Sequence, residues 1–338
     1  MLAVLVGGAS CMPVRYLAQA GAGQDEIAQK QLDVDMLVRG GWLTKERRAL
    51  LADVAHVKEY GEARGLRATT NYITYVDLHR PQVLWVTTAC EPLRFRARTQ
   101  WFPIVGSISY LGWFQRRDAD DFAAELRAKG WDVDVRGSGA YSTLGYFPDP
   151  ILSTMIAEGK GARGELTNTI LHESLHATFY VNGQSTLNES VASFVGDGLA
   201  ASYMRERVGA DAPETRAYLE DETEGERRAA AFQNAYGKLA ALYASDKARE
   251  EKLAEKARIL AALRAETRLR RPITNATLIQ YKTYGSGKAE MSAMLARCGS
   301  FAKLIAGLEK LRPALERADS QSDPGKLLAP HVDTICAP

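Results

Sequence analysis

The chain has 338 residues, 46% of them apolar and 25% charged, and its 43 basic and 41 acidic residues leave a net charge of +2. That composition belongs to a folded globular protein with a buried core, and the near balance of charge offers no electrostatic basis for binding nucleic acid. The four cysteines, Cys11, Cys90, Cys298 and Cys336, contain no Cys-x-x-Cys pair; this argues against a zinc ribbon or thioredoxin-like motif and leaves a buried free thiol, or one pairing among the last three, as the two readings.

The chain opens on the apolar run Met1-Leu-Ala-Val-Leu-Val, followed by Gly7-Gly-Ala-Ser and Cys11. The order is that of a lipoprotein signal at residues 1–11 with a lipid on Cys11, although no Lys or Arg precedes the run and Gly8 stands where a leucine-like residue is usual. It predicts a cell-envelope protein, periplasmic or held to the membrane by that lipid. No other run reaches the roughly 18 apolar residues that a transmembrane helix needs.

Helical periodicity begins at residues 27–39 and resumes at 45–60, where Thr44 is placed to cap, Leu50, Leu51, Val54 and Val57 share a face, and Gly61 and Gly65 close the segment. His56 lies beside that stripe and reads as a core or boundary residue; His79 reads as a loop residue. Residues 83–88, 104–110 and 131–135 are β-branched or alternating runs, the last with Trp131, Val133 and Val135 on one side. A helix between the second and third, with Asp118 as N-cap and Gly130 after its end, makes a β-α-β unit. The Gly- and Pro-containing stretch 139–150 reads as a loop, 151–158 as a short helix, and 165–180 as a helix ending near Asn182-Gly183. Beyond Ser190 the pattern is helical. Phe232, Tyr236, Leu239 and Tyr243 face Leu253, Ala257, Leu260 and Leu263 across a turn at Ser245-Asp246, a charged antiparallel hairpin whose Lys, Arg and Glu form a solvated face. Pro272 ends it, and Asn275 starts a last helical region. Residues 12–338 thus read as a single catalytic unit of class α+β, mostly helical: a helical part at 12–65, a small mixed sheet packed on the active-site helix at 66–200, and a helical part at 201–338.

The chemistry is concentrated at His172-Glu173-Ser174-Leu175-His176, a His-Glu-x-x-His pattern. On a helix the two histidines fall one turn apart on one face with Glu173 beside them, two metal ligands and a general base. A metzincin would need Gly and His three and six residues after His176, where Phe179 and Asn182 stand, and the inverted His-x-x-Glu-His order is absent. The third ligand must come from elsewhere, and Glu189 in Asn188-Glu189 is best placed, with Asp197 and Glu165 behind it as ligands or as partners of the histidines. A competing reading makes Thr186 and Glu189 the two ends of a capping box. With one Zn²⁺ on His172, His176 and Glu189, Glu173 takes a proton from the attacking water and passes it to the leaving amine, so the expected substrate is a peptide or protein. Tyr141, Tyr146 and Tyr284 are the hydroxyls considered for the oxyanion, and 104–110 is a candidate edge strand for the peptide.

Tyr16-Leu-Ala-Gln-Ala, Asn71-Tyr72 with Tyr75, Trp101-Phe-Pro-Ile-Val-Gly, Tyr110-Leu-Gly-Trp-Phe, Ala140-Tyr-Ser-Thr-Leu-Gly-Tyr-Phe with Asp149-Pro150, Asn188-Glu-Ser-Val-Ala, Asn275-Ala276 and Thr283-Tyr284 resemble, in the same order, the blocks of a family of bacterial envelope proteins described as putative aminopeptidases. The resemblance spans nearly the whole chain and implies a gluzincin-like zinc peptidase with His172, His176 and Glu189 on the metal and Glu173 as base. The chain departs from the family in lacking a cysteine expected between Trp101 and Phe102 and in having Tyr110-Leu111 where a tyrosine-arginine pair is expected. It also lacks the Gly-x-Met-x-Asn segment of well-known zinc aminopeptidases, so peptide hydrolysis is the firmer expectation and N-terminal trimming the finer one. Two other readings are a catalytically silent envelope scaffold with a structural metal and a zinc hydrolase of non-peptide amides.

Overall fold

The structure, a computed structural model, describes residues 12–102, 106–141, 148–283, 286–319 and 322–336. In chain order the elements are α1 (Met12–Gln29), β1 (Leu32–Asp33), α2 (Val34–Gly40), α3 (Lys45–Glu62), β2 (Thr74–Val76), β3 (Leu84–Cys90), β4 (Gln100–Phe102), β5 (Gly106–Ile108), β6 (Tyr110–Trp113), α4 (Arg116–Ala128), β7 (Asp132–Ser138) and β8 (Ile151–Leu152). They continue with α5 (Ala162–Thr178), α6 (Ser185–Tyr203), α7 (Pro213–Ala244), α8 (Arg249–Thr267), α9 (Asn275–Thr283), α10 (Lys288–Cys298), α11 (Phe301–Leu315) and α12 (Pro324–Leu328). The class is α+β and mostly helical. No helix among the described residues is long and apolar enough to cross a membrane.

The N-terminal part departs from the reading of a single helix over 27–39. A helix already runs from Met12 to Gln29 and stops, and Asp33 restarts the chain as α2 by accepting from the Met36 N–H. Of the two glycines that mask the period of α1, Gly23 has a packing reason, since a Cβ there would fall 2.2 Å from the ring of Phe114, whereas Gly21 has nothing within 4 Å. In α3 the expected cap and face are present, with Thr44 accepting from Arg47 N–H and Leu51, Val54, Val57 and Tyr60 buried. His56 is exposed and lies 3.7 Å from Asp53, outside the core. His79 is an exposed loop residue.

Two three-stranded sheets form. Two of the expected strands, 83–88 and 131–135, supply β3 and β7 of the antiparallel sheet β6-β3-β7, whose strand β6 takes only Tyr110 from the expected strand 104–110; β6, α4 and β7 make a split β-α-β unit around β3. Trp131, Val133 and Val135 face its core with Leu111, Trp113, Phe122 and Leu126. The helix α4 begins at Arg116 with Gln115 as its cap; Asp118 is in the first turn, bonded to Arg15 at 2.6 Å. The mixed sheet is β1-β2-β8, with β1 antiparallel and β8 parallel to β2. Residues expected to form a helix at 151–158 instead pair with Tyr75 and Val76 and then turn through a single 3-10 turn at Ser153–Met155. Ile151 and Leu152 are buried on both faces of that strand, in the same core as Tyr75, Val76, Leu166, Ile170, Leu171 and Leu175. It is this smaller sheet that shares the core of α5.

At the C-terminal side α7 and α8 form the expected hairpin, with Phe232, Leu239, Leu242 and Leu263 buried. Its inner face is rotated from expectation, since Leu253 and Ala257 are exposed while Lys256 is buried. The reason is polar: the Lys256 ammonium donates to the Pro92 carbonyl at 2.8 Å and to Asp132 at 2.5 Å. Cys298 and Cys336 form a disulfide, and Cys90 is a buried free thiol.

Candidate metal centre

The centre of the molecule is the antiparallel pair α5 and α6. One helical turn brings His172 and His176 together on α5, with ring centroids 4.9 Å apart and planes at 81°. From α6, Glu189 reaches both: Oε2 lies 3.5 Å from His172 Nε2 and Oε1 lies 3.6 Å from His176 Nε2. The three side chains are mostly withdrawn from solvent, and among the described residues they are the only His/Cys/Asp/Glu group whose donor atoms, all within 4.8 Å, can hold a metal ion.

The local sequence explains why α6 presents Glu189 there. After α5 ends at Thr178, Asn188 closes the turn by accepting from Val181 N–H at 2.8 Å and donating to Val181 carbonyl oxygen at 2.9 Å. Gln184, the residue before α6, anchors the same turn to the C-terminal segment by donating to the Asp319 carbonyl at 2.8 Å. The next residue on α6 after Asn188 is Glu189, so the turn and the site are built from neighbours. The helix begins at Ser185; Thr186 is inside it, and the capping-box reading of Glu189 gives way to its contact with the histidines. Seven residues further on, two turns along the same face, a Cβ on Gly196 would sit 2.9 Å from Asn168 Oδ1 and 3.1 Å from His172 Cβ. Glycine is what lets α6 approach α5 this closely.

A family model described as "Putative aminopeptidase" matches residues 15–321. The chain belongs to the putative aminopeptidase family. No curated protein and no solved structure matches it.

In this aminopeptidase-family chain the centre is electrostatically divided. Burial, followed by the charges of Glu189 and Asp149, pushes the Glu173 carboxyl up to about 7 against the opposing pull of His172. Burial also disfavours charge on both histidines, but His172 is raised because Glu189 accepts its hydrogen bond and Glu173 and Asp197 lie near, whereas His176 falls to about 4. For Glu189, burial is overcome by His172, His176 and Arg136, and the carboxyl stays low. A carboxylate and a neutral imidazole are the forms that bind metals. A neighbouring carboxyl of raised pKa is suited to moving protons near neutral pH.

Of the other residues considered from sequence, Asp197 stands behind the site, accepting from Asn168 Nδ2 at 2.8 Å within charge range of His172. Glu165 is on the first turn of α5 and is exposed, outside the metal group. Tyr141 is half-buried with its ring 5.5 Å from Phe114, and its charge neighbours are Asp149 and Tyr16. Tyr146, Tyr284, Ile104 and Cys11 lie outside the described residues. Val105 also lies outside them, and the described part of the expected edge strand, residues 106–110, gives β5, paired with β4, and the first residue of β6 in the antiparallel sheet. Sequence reasoning passed over Asp149 and Tyr72 as site residues. Both are buried and both interact with the charge of Glu173, brought there by a loop contact, Tyr72 N–H to Asp149 carbonyl at 2.7 Å. Only the order Asn71-Tyr72 before a strand and Asp149-Pro150 before another could have marked them.

A cavity of about 1270 Å³ opens elsewhere, between the start of α3, residues 77–82 and the first turn of α5, lined by Arg47, Asp77, Arg80 and Arg163 among others. It includes none of His172, Glu173, His176 or Glu189. Arg163 precedes His172 by nine residues, about 14 Å along the helix axis.

Proposed function

We propose that this chain is a zinc-dependent peptidase in which His172, His176 and Glu189 hold the metal and Glu173 is the general base, and that it releases residues from peptide N-termini. The observation that carries the reading is the meeting of the Glu189 carboxylate with both histidines, beside a carboxyl of raised pKa. The donor set fits zinc: tetrahedral coordination with bonds of about 2.0–2.1 Å places ligand atoms about 3.3 Å apart, close to the 3.5 and 3.6 Å between Glu189 and the two histidines. Three protein ligands leave the fourth position for water, the arrangement of a catalytic zinc site rather than a structural one. Bound there, zinc supplies Lewis acidity that makes water nucleophilic near neutral pH. The protein's own groups do the remainder. Glu173 accepts the proton of the attacking water, holds it, and delivers it to the nitrogen of the leaving amine. Asp197, held by Asn168, favours the orientation of His172.

The substrate class, a peptide or protein, follows from the base and the family together. A location in the cell envelope is part of the same proposal, supported by the Cys298–Cys336 disulfide, since such bonds persist in oxidising compartments. The test is mass spectrometry of a peptide library incubated with zinc-loaded wild type and with Glu173→Gln. Successive loss of single N-terminal residues, present only with wild type, is expected; internal cuts would make it an endopeptidase, and identical spectra would sink the peptidase reading.

A further inference from the structure

The turn between α5 and α6 decides where Glu189 falls, and one buried amide does much of its closing. Gln184 is 1% exposed. Its N–H donates to the Val181 carbonyl at 3.2 Å and its own carbonyl accepts from Asn188 N–H at 3.0 Å, one residue before Glu189. The side chain is equally engaged: Nε2 donates to the carbonyls of Ala318 and Asp319 at 3.4 and 2.8 Å, and Oε1 accepts from Ser322 N–H at 3.2 Å. From the same turn Asn182 Nδ2 donates to Glu316 Oε1 at 3.5 Å. Both side-chain amides of the turn therefore grip one segment, 134 positions further along the chain.

That segment, residues 316–319 and 322–336, is a strap across the turn. Among these residues only Pro324, Leu328 and Ile335 are buried. Asp323 starts α12 by accepting from Lys326 N–H at 3.2 Å, Leu328 enters the core that also holds Leu187 and Val191 of α6, and a Cβ on Gly307 of α11 would fall 2.6 Å from Ile335. The far end is closed covalently, by the bond from Cys336 to Cys298 of α10. With so little burial along its length the strap depends on that bond, and weakly buried segments are the ones that open locally when a tie is cut. Lifting the strap strands the Gln184 amide in the interior without its three partners, which is unfavourable unless the turn opens to hydrate it. Glu189, at the end of that turn, moves with it.

We propose that Gln184 is a positioning residue for the metal ligand Glu189, and that the Cys298–Cys336 bond makes this positioning redox-dependent: with the bond closed the strap holds the turn and the site binds metal tightly, and with it reduced the site loosens. The inference rests on the metal-binding part of the function proposed above and concerns its regulation. Cys336 is partly exposed and open to attack. In reduction the thiolate of a dithiol attacks Cys336 Sγ, the Cys298 sulfur leaves as a thiolate and takes up a proton, and the second thiol of the reductant closes its own disulfide and frees Cys336; two electrons pass from the dithiol to the protein bond. A chain whose third metal ligand is set only once this bond has formed is latent in a reducing compartment and competent in an oxidising one.

The test measures the Kd for zinc, by competition with a chromophoric chelator, in the oxidised full chain, in Gln184→Met and in the double variant Cys298→Ser, Cys336→Ser. Each variant should bind zinc about 10–100-fold more weakly, the effect of removing support from a metal ligand. In the metal-free proteins the amides of residues 185–189 should exchange hydrogen faster than in wild type, read by mass spectrometry, while those of α8 keep their rate. Leu263→Ala, in the separate core of the hairpin, serves as the control: it should lower the melting temperature and leave the zinc Kd alone. A Kd within about threefold of wild type in either variant, well short of that range, or equal weakening by Leu263→Ala, overturns the proposal. Should a variant not fold, wild type reduced with dithiothreitol and desalted without air gives the same decision. The titration reads no catalysis, so oxidised wild type that binds zinc but cleaves nothing defeats the peptidase reading and leaves the strap to stand or fall on its own Kd values. Oxidised wild type that binds no zinc defeats both.

Discussion

The pair α5–α6 and the hairpin α7–α8 are both long antiparallel helices, yet they are built on opposite plans. Along α5 buried residues run round more than half of the helix, from Ala162 and Gly164 through Leu166, Thr167, Ile170 and Leu171 to Ser174 and Leu175, where α3, α6, α7 and the core of the mixed sheet pack, and leave the strip of Glu165, Thr169, His172 and His176 less covered. The hairpin buries one stripe and exposes charge on the rest, including the Glu224–Arg227 pair and most of α8. In the first pair small residues set the distance between helices, with Gly196 against His172 and Gly61 of α3 against Leu171. In the second, Gly225 and Gly237 of α7 have nothing within 4 Å of where a Cβ would be. Glycine has opposite meanings in the two places. In one it permits a contact that brings His172, His176 and Glu189 into one group; in the other it only costs helix propensity.

The sharpest way to break that contrast is at the contact itself. Glu189→Ala should reduce zinc from about one per chain to a small fraction, and with it hydrolysis by about 10³-fold or more, measured by metal analysis and initial rates; full zinc retention would remove Glu189 from the site. Gly196→Ala should cost about 1–3 kcal/mol in urea unfolding through overpacking against Asn168 and His172, and weaken zinc binding through displacement of His172. A Gly196→Ala protein as stable as wild type would mean that the two helices do not cross so closely. Gly237→Ala should act in the other direction, adding about 0.5–1 kcal/mol by helix propensity and leaving zinc and activity unchanged. The smallest effect concerns pH. Burial, then Asp197 and Glu226, push the Glu222 carboxyl up to about 7, above its unfolded value, so its favourable contribution is complete at low pH and is lost as pH rises through about 7. Glu222→Gln should therefore raise the melting temperature at pH 8 by about 1–2 °C, discounted for its partial exposure to solvent, and have little effect at pH 5. The reverse order would show that the carboxyl is ionised in the folded protein throughout.

Legibility differed from element to element for physical reasons. Thr44 and the Leu51, Val54, Val57 stripe were readable because capping and periodicity are local properties. The helix 12–29 was not, since Gly21 and Gly23 dilute its period and Gly23 is explained only by Phe114, 91 positions away. The segment 151–158 read as helix because Ile151-Leu152 has no intrinsic preference strong enough to decide, and pairing with Tyr75 and Val76 makes it a strand. On α8 the apolar positions suggested one inner face, and a buried lysine with partners at Asp132 and Pro92 turned the helix to another. At the candidate centre His172, Glu173 and His176 could be read as a unit because a single helix turn brings them together. Glu189 could be nominated, but two local roles competed for it, and the start of α6 at Ser185 separated them.

By itself, then, the sequence determined what depends on neighbours a few residues apart: the mostly helical class, the metal-binding pattern on one helix face, the absence of a charge bias for nucleic acid, and the hairpin with its solvated face. Tertiary structure decided what depends on distant contacts. It joined Glu189 to the two histidines across a turn closed by Asn188, chose Cys298 and Cys336 as the bonded pair, put the shorter mixed sheet in the core of α5, and brought Tyr72 and Asp149 within charge range of Glu173. The physical reason is the same in each case. Dihedral preference and side-chain period act over one or two turns of chain, whereas burial, hydrogen-bond closure and charge proximity belong to groups that meet only once the chain has folded.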